Sequence, residues 1–339
     1  MSDELSGRME SRSFNGSDIL VRSALPHPAP PQDRIWVHGA LLLATIYTTT
    51  LAGMLMSPDL VGLDGQADDW TFLFNPRFLV YGLPFSVTLL GILGIHEMGH
   101  YVTSRWWHVR ASLPYFIPFP SMIGTLGAVI RLKSRIPNRR ALIDIGASGP
   151  LAGFVVAVIA LGVGLHMSEV IAVQEVPKGA FSLGDSILSA WIGQLVIGHL
   201  PEGYDVMLHP VAFAGWLGLF VTVLNLLPMG QFDGGHIVYA IFGRRHAWIT
   251  KGTLVALALF WAVGPPYDWM QAPDVFSVWL EGRWPGWLVW LFMGSIMGRR
   301  HPPPDDPYLP LDPVRKWVGY VSLVIFVLCF IPRPIYFAP

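Results

Sequence analysis

Long apolar segments constrain the fold of this chain more than any other feature of its sequence. A helix that spans a bilayer needs about 20 mostly apolar residues. Seven segments are candidates: residues 36–56, 78–103, 143–166, 207–227, 248–263, 287–297 and 318–331. Charged residues make up 13% of the 339 residues, whereas soluble domains carry about a quarter. The sequence therefore predicts an all-α polytopic membrane protein with about seven transmembrane helices.

The charges that do occur predict an orientation and exclude one class of partner. If the N-terminus is cytoplasmic, 18 of the 22 Lys and Arg residues fall in cytoplasmic segments, as expected for cytoplasmic loops. We expect residues 1–35, which carry Ser, Pro and charged residues, to form a disordered cytoplasmic tail rather than a cleavable signal peptide. Residues 36–339 then form the transmembrane domain. No basic surface favours nucleic-acid binding.

The second apolar segment contains histidines with metal-ligand spacing, in the sequence HEMGH. His96 and His100 are four residues apart, so on a helix they lie on one face. Two imidazoles at this spacing can bind one zinc ion, and Glu97 beside them can act as a general base. Ionisable groups inside a span are costly and indicate a functional site. The single cysteine, Cys329, excludes a zinc cluster built from cysteines.

A catalytic zinc ion needs a third protein ligand, and few acidic residues accompany the apolar segments: Asp144, Asp185 and Asp233. We interpret Asp144, at the start of the third segment, as a helix cap. Asp233 follows the fourth segment, where Pro228 breaks the helix and two glycines permit a tight turn. The second and fourth predicted helices run in the same direction and would deliver their ligands at similar depth. From His96 to Arg105 is nine residues, about 13 Å of helix, so we expect a site recessed from the cytoplasmic surface.

Residues 112–132 are apolar, but three prolines and two glycines prevent a regular helix. We interpret this segment as a membrane re-entrant, β-like loop. Its GTLGAVI stretch favours an extended strand that could pair with an extended substrate by β-augmentation. The candidate substrate-binding residues are Gly124, Thr125, Leu126, Gly127, Ala128 and Val129.

Three motifs together carry a family resemblance: HEMGH, GASGPLAG at 146–153, and NLLPMGQFDGG at 225–235. In this order and on apolar segments, they resemble the site-2 protease family of intramembrane zinc metalloproteases, peptidase family M50. The resemblance covers about residues 78–243. It implies a three-helix catalytic core there, formed by the second, third and fourth predicted helices, with accessory helices at 36–56 and 248–331. It also implies one zinc ion per chain.

The resemblance also implies residue roles and an activity. His96, His100 and Asp233 would be the metal ligands, Glu97 the general base, and Asn225 an oxyanion or substrate-backbone partner. The implied function is hydrolysis of a peptide bond within the transmembrane segment of a membrane-protein substrate. We expect a multi-pass protein of a bacterial plasma membrane, surrounded by lipid. His236, near Asp233, is interpreted as a structural or supporting residue.

The same residues allow three other interpretations. A metal transporter would need ionisable residues spread through the membrane depth, whereas these cluster at one level. A metalloprotease with a downstream glutamate ligand is disfavoured because Glu169, Glu175, Glu202 and Glu281 fall on the outer side in the predicted topology. A non-catalytic relative is disfavoured because all four residues of the predicted centre are intact.

Overall fold

The computed structural model describes residues 34–57, 73–175, 181–263, 284–297 and 301–337. The predicted disordered tail lies outside the described residues, except at its last two positions. Nine helices of ten or more residues occur in the described part of the chain: α1 Ile35–Leu55, α2 Leu83–Trp106, α3 Arg139–His166, α4 Ile187–Val196, α5 Pro210–Leu226, α6 Asp233–Phe242, α7 His246–Val263, α8 Gly286–Met297 and α9 Pro313–Cys329. A short helical stretch, Pro76–Gly82, leads into α2.

Three helical stretches are long and apolar enough to cross a membrane: α1, α2 with its lead-in (Pro76–Trp106), and α3. The other four predicted spans also form helices, namely α5, α7, α8 and α9, but each is shorter than these three. The segment at 187–196 forms the separate helix α4, whose Trp191 and Leu195 are exposed.

The fold is mostly helical, as predicted, but strands also occur outside the loop that was predicted to be β-like. The described residues contain three two-stranded antiparallel sheets. The strands are β1 Tyr115–Pro118 with β2 Thr125–Val129, β3 Glu169–Ala172 with β5 Tyr204–Met207, and β4 Phe181–Leu183 with β6 Ile335–Phe337. The first pair is a hairpin within the loop that was predicted to be β-like. Its register places Tyr115 opposite Val129 and Phe116 opposite Ala128.

Helices α2, α3 and α5 form the centre of the molecule. Their contact faces combine small residues with large apolar ones, and Ala157 on α3 and Ala212 on α5 are fully buried. Small side chains allow helix backbones to approach closely, which is how apolar helices associate when lipid removes the hydrophobic driving force. Phe85 and Leu89 of α2 and Leu219 of α5 fill the space between the helices. This packing sets the relative positions of the residues described below.

The interpretation of Asp144 as a helix cap is wrong. Helix α3 begins earlier than predicted, at Arg139, and the side chain of Asn138 caps it by accepting a hydrogen bond from the Ala141 N–H. Asp144 lies one turn inside the helix and accepts hydrogen bonds from Arg315 of α9 at 2.7 Å and from the Trp107 indole at 3.0 Å. It therefore connects α3 to α9 and to the end of α2.

Candidate metal centre

Helix α2 presents both predicted histidine ligands to the protein interior. His96 and His100 are 4% and 6% exposed, and their Nε2 atoms lie 3.2 Å apart. If both neutral rings carry their proton on Nδ1, the two facing Nε2 atoms both offer lone pairs. A shared proton or a cation is needed to hold them together.

Asp233 completes the group from a different part of the chain. After α5 ends at Leu226, the chain turns, and Asp233 is the first residue of α6. Its Oδ2 lies 3.2 Å from His100 Nε2 and 3.5 Å from His96 Nε2. Among the described residues, these three form the one group of His, Cys, Asp and Glu side chains whose ligand atoms all lie within 4.8 Å of one another.

The donor set fits a zinc ion. A tetrahedral zinc bound at about 2.1 Å separates its ligand atoms by about 3.4 Å, and the three separations here are 3.2, 3.2 and 3.5 Å. Two imidazoles and one carboxylate also leave a fourth position open, which is the pattern of catalytic zinc sites rather than of closed structural ones.

A backbone contact from α3 orients one of the ligands. His100 Nδ1 lies 2.7 Å from the Ile145 carbonyl oxygen. Because a carbonyl only accepts, Nδ1 carries the proton and Nε2 keeps its lone pair for a metal. Supporting hydrogen bonds of this kind fix the ring orientation of metal-binding histidines.

The glycine-rich motif of α3 makes this close approach possible. A Cβ atom added at Gly149 would lie 2.1 Å from His100 Nε2, and one added at Gly153 would lie 3.2 Å from His96 Nδ1. Any larger residue at position 149 would therefore occupy the space of the ligand ring. Positions 146, 149 and 153 share one helix face, so their spacing is a sequence signal from which this wall of the site could have been found.

Glu97 and Asn225 border the three ligands. Glu97 is 7% exposed, and its Oε1 lies 3.9 Å from His96 Nε2. Asn225, near the end of α5, has its side-chain amide nitrogen 3.2 Å from His96 Nε2. One carboxylate and one amide outside the ligand set thus face the same small space.

The predicted substrate-binding residues form or adjoin β2, close to the centre. Gly124 precedes the strand, and the remaining five residues are the strand itself. Leu126 and Val129 are 65% and 49% exposed. The backbone of Ile130, immediately after the strand, lies against the Glu97 carboxylate.

His236 lies outside the ligand group, as interpreted from the sequence. Its Nδ1 is 2.6 Å from Nε2 of His301, which in turn contacts the Pro302 carbonyl through Nδ1 at 2.7 Å. The tautomers follow from that carbonyl: His301 donates to it, and His236 donates to His301. His301 was not foreseen because it is 65 residues from His236 in the chain and no local pattern marks it.

Comparison with known proteins gives the same family. The family model described as Peptidase family M50 matches residues 84–262. The match extends beyond residue 243, where the resemblance of the sequence motifs ends, and includes nearly all of α7. The chain is 29% identical over 279 residues to the protein named probable zinc metalloprotease EGY2, chloroplastic, of Arabidopsis thaliana. This match covers 80% of the chain and 46% of the relative.

Two further relatives carry the name probable zinc metalloprotease EGY1, chloroplastic. The Arabidopsis thaliana protein is 37% identical over 56% of this chain and 35% of its own length. The Oryza sativa subsp. japonica protein is 31% identical over 66% of this chain and 41% of its own length. The chain thus spans less than half the length of these curated relatives. With a family match over more than half of its residues, the chain belongs to peptidase family M50.

Proposed function

We propose that this chain is an intramembrane zinc metalloprotease that hydrolyses a peptide bond within the transmembrane segment of a membrane-protein substrate. The observation that carries the proposal is the meeting of His96, His100 and Asp233 beside Glu97, on helices with apolar surfaces. The relatives' names agree with metalloprotease chemistry. The transmembrane substrate is what this setting favours, because a centre among apolar helices is reached most directly from lipid.

The roles of the residues follow from their chemistry. His96, His100 and Asp233 would hold the zinc ion, which when bound supplies Lewis-acid polarisation of the scissile carbonyl. Glu97 lies close enough to accept a proton from the attacking water and pass it to the leaving amine. Asn225 can donate a hydrogen bond from its amide to a substrate carbonyl oxygen.

Strand β2 is the proposed binding element for the substrate backbone. The peptide bonds of a transmembrane helix are closed by internal hydrogen bonds, so a substrate must unwind before it can be cut. Strand β2 pairs on one side with β1 and has no second strand partner among the described residues. An unwound substrate can pair with that second side while it lies next to Glu97.

The orientation of the protein belongs to the same proposal. The distribution of basic residues supports a cytoplasmic N-terminus and a centre recessed from the cytoplasmic surface. The bacterial plasma membrane stays a prediction, since the relatives described above are plant proteins named as chloroplastic.

The activity can be tested by measuring zinc content and cleavage on the same purified proteins. A generic transmembrane substrate would be incubated with wild type, Glu97→Gln and Asp233→Ala in detergent. We expect Glu97→Gln to keep zinc and lose cleavage, because it removes the base and leaves the ligands. Asp233→Ala should lose much of both. A Glu97→Gln protein that still cuts would overturn the protease assignment.

The role of the strand needs a separate variant. Val129→Pro removes a backbone N–H from β2, so we expect it to abolish cleavage while zinc content persists. Full activity in this variant would refute backbone pairing at β2 and leave the metal chemistry untouched.

A further inference from the structure

The hairpin is held by a helix that lies outside the family-matched residues. Helix α1 ends at Leu55, whereas the family match begins at residue 84. The Thr48 hydroxyl donates a hydrogen bond of 2.6 Å to the Gly124 carbonyl, at the start of β2. The same hydroxyl lies 3.1 Å from the Ala44 carbonyl and 3.2 Å from the Thr45 carbonyl of its own helix. The contact with Gly124 is the shortest of the three.

A second contact holds the other end of the hairpin. His38 Nδ1 donates to the Pro114 carbonyl at 3.0 Å, immediately before β1. The His38 ring also packs on Tyr115, with centroids 4.0 Å apart. His38 and Thr48 are ten residues apart on α1, about 15 Å of helix. One helix thus fixes both the base of the hairpin and the segment that enters β2.

The approach at Gly124 is close enough to exclude other residues. Gly124 has φ +80°, and a Cβ atom added there would lie 2.4 Å from the Thr48 carbonyl oxygen. Glycine tolerates both the left-handed conformation and the direct backbone contact. The start of β2 therefore rests on the α1 backbone as well as on the Thr48 hydroxyl.

Helix α1 is itself fixed to the helix that carries the histidines. The Thr49 and Ser86 hydroxyls are 2.6 Å apart and fully buried between α1 and α2. Ser86 and His96 belong to the same continuous helix. A connected set of contacts therefore runs from His96 through α2 and α1 to Gly124, and it determines where β2 stands relative to the metal ligands.

We propose that Thr48 and His38 are positioning residues that set the register of the bound substrate strand against the metal centre. This inference rests on the proposed function, because it assigns a register to the transmembrane substrate that the proposed function requires. It predicts that loss of either hydrogen bond lets the hairpin shift. Substrate would then bind more weakly and present neighbouring peptide bonds to the centre.

Variants of Thr48 test this with the full chain in detergent and a transmembrane substrate. Thr48→Val keeps the shape of the side chain and removes the donor. We expect kcat/KM to fall about fivefold, mainly through a higher KM. Mass spectrometry of the products should show cuts at bonds next to the wild-type site, with zinc content unchanged. Thr48→Ser keeps a hydroxyl and should restore both the wild-type KM and the wild-type site.

Two further variants complete the comparison. Thr45→Val is the matched control and should behave as wild type. Among the residues that the structure describes, the Thr45 hydroxyl bonds only to the Leu41 carbonyl of its own helix. His38→Phe retains a ring against Tyr115 and removes the donor, so we expect it to act in the same direction as Thr48→Val.

The outcomes separate this inference from the proposed function. A wild-type protein that cuts no transmembrane substrate would overturn the proposed function, and the inference with it. A wild type that cuts, together with Thr48→Val and His38→Phe proteins of unchanged KM and cleavage site, would overturn the inference alone. Loss of zinc or of the folded protein in Thr48→Val would also overturn it, because Thr48 would then be structural.

Discussion

Replacing Gly149 by alanine should disable the metal centre without unfolding the protein. The added Cβ would lie 2.1 Å from His100 Nε2, 2.4 Å from Cδ2 and 2.6 Å from Cε1. The ring would have to move by about 1.4 Å to reach an ordinary contact of about 3.5 Å. Zinc–ligand distances tolerate deviations of only about 0.2 Å, so His100 would leave its ligand position or lose its hydrogen bond to Ile145.

The cost can be divided between stability and metal binding. Inserting a methyl group into a packed helix interface costs about 1–3 kcal/mol, which a folded domain of this size should survive. Disturbing a residue that orients a zinc ligand lowers metal affinity about 10–100-fold, and direct displacement of a ligand should reach at least the upper end of that range. We therefore expect zinc affinity to fall about 100-fold in Gly149→Ala.

The assay is competition for zinc between the purified protein and a chelator of known affinity. Gly162→Ala is the matched control, because Gly162 is on the same helix and a Cβ there meets no atom within 4 Å. Thermal unfolding of both variants would show whether the fold persists. If Gly149→Ala binds zinc as tightly as Gly162→Ala does, the explanation of the glycine motif is wrong.

Two predictions concern the parts that support the centre. Asp144→Asn should lower the free energy of unfolding by about 2 kcal/mol, because Asp144 accepts charged hydrogen bonds from Arg315 in a half-buried pair. Asp305→Asn should change the free energy of unfolding little, because its pair with Arg135 is exposed. Thermal unfolding of both variants checks this, and an equal loss of stability in the two would contradict the reasoning. Burial, together with His236 and His246, lowers the pKa of His301 to about 3. A lowered histidine pKa means that its contribution to stability is present above about pH 6.5 and is lost as the pH falls toward 3. His301→Asn should therefore flatten the fall in melting temperature over that range, and an unchanged pH profile would count against it.

The sequence predicted the metal ligands better than the residues around them, because most of the ligand pattern lies within a few consecutive residues. His96, Glu97 and His100 lie within five consecutive residues of one helix, so their spacing inside an apolar segment was enough to make them candidates. Asp233 is 133 residues from His100, but the direction of the apolar helices limited the candidates for a third ligand.

Contacts between distant segments without a local pattern were not predictable. Asp144 was interpreted as a cap because it stands at the start of an apolar segment. Its actual partner, Arg315, is 171 residues away, and no local pattern indicates it. His301 and the contact of Thr48 with Gly124 were missed for the same reason. The strand at 125–129 was foreseen because Pro and Gly exclude a helix locally, but its pairing with 115–118 was not. The other two strand pairs, 169–172 with 204–207 and 181–183 with 335–337, join segments too far apart for local patterns to indicate.

The most direct test of the metal centre is X-ray absorption at the zinc edge on the Glu97→Gln protein, with Asp233→Ala for comparison. The account predicts two imidazole nitrogens and oxygen donors at about 2.0–2.1 Å in Glu97→Gln. It also predicts a weakly bound or absent ion in Asp233→Ala. A sulfur neighbour at about 2.3 Å, which only Cys329 or a methionine could supply, or an unchanged zinc environment in Asp233→Ala, would contradict it.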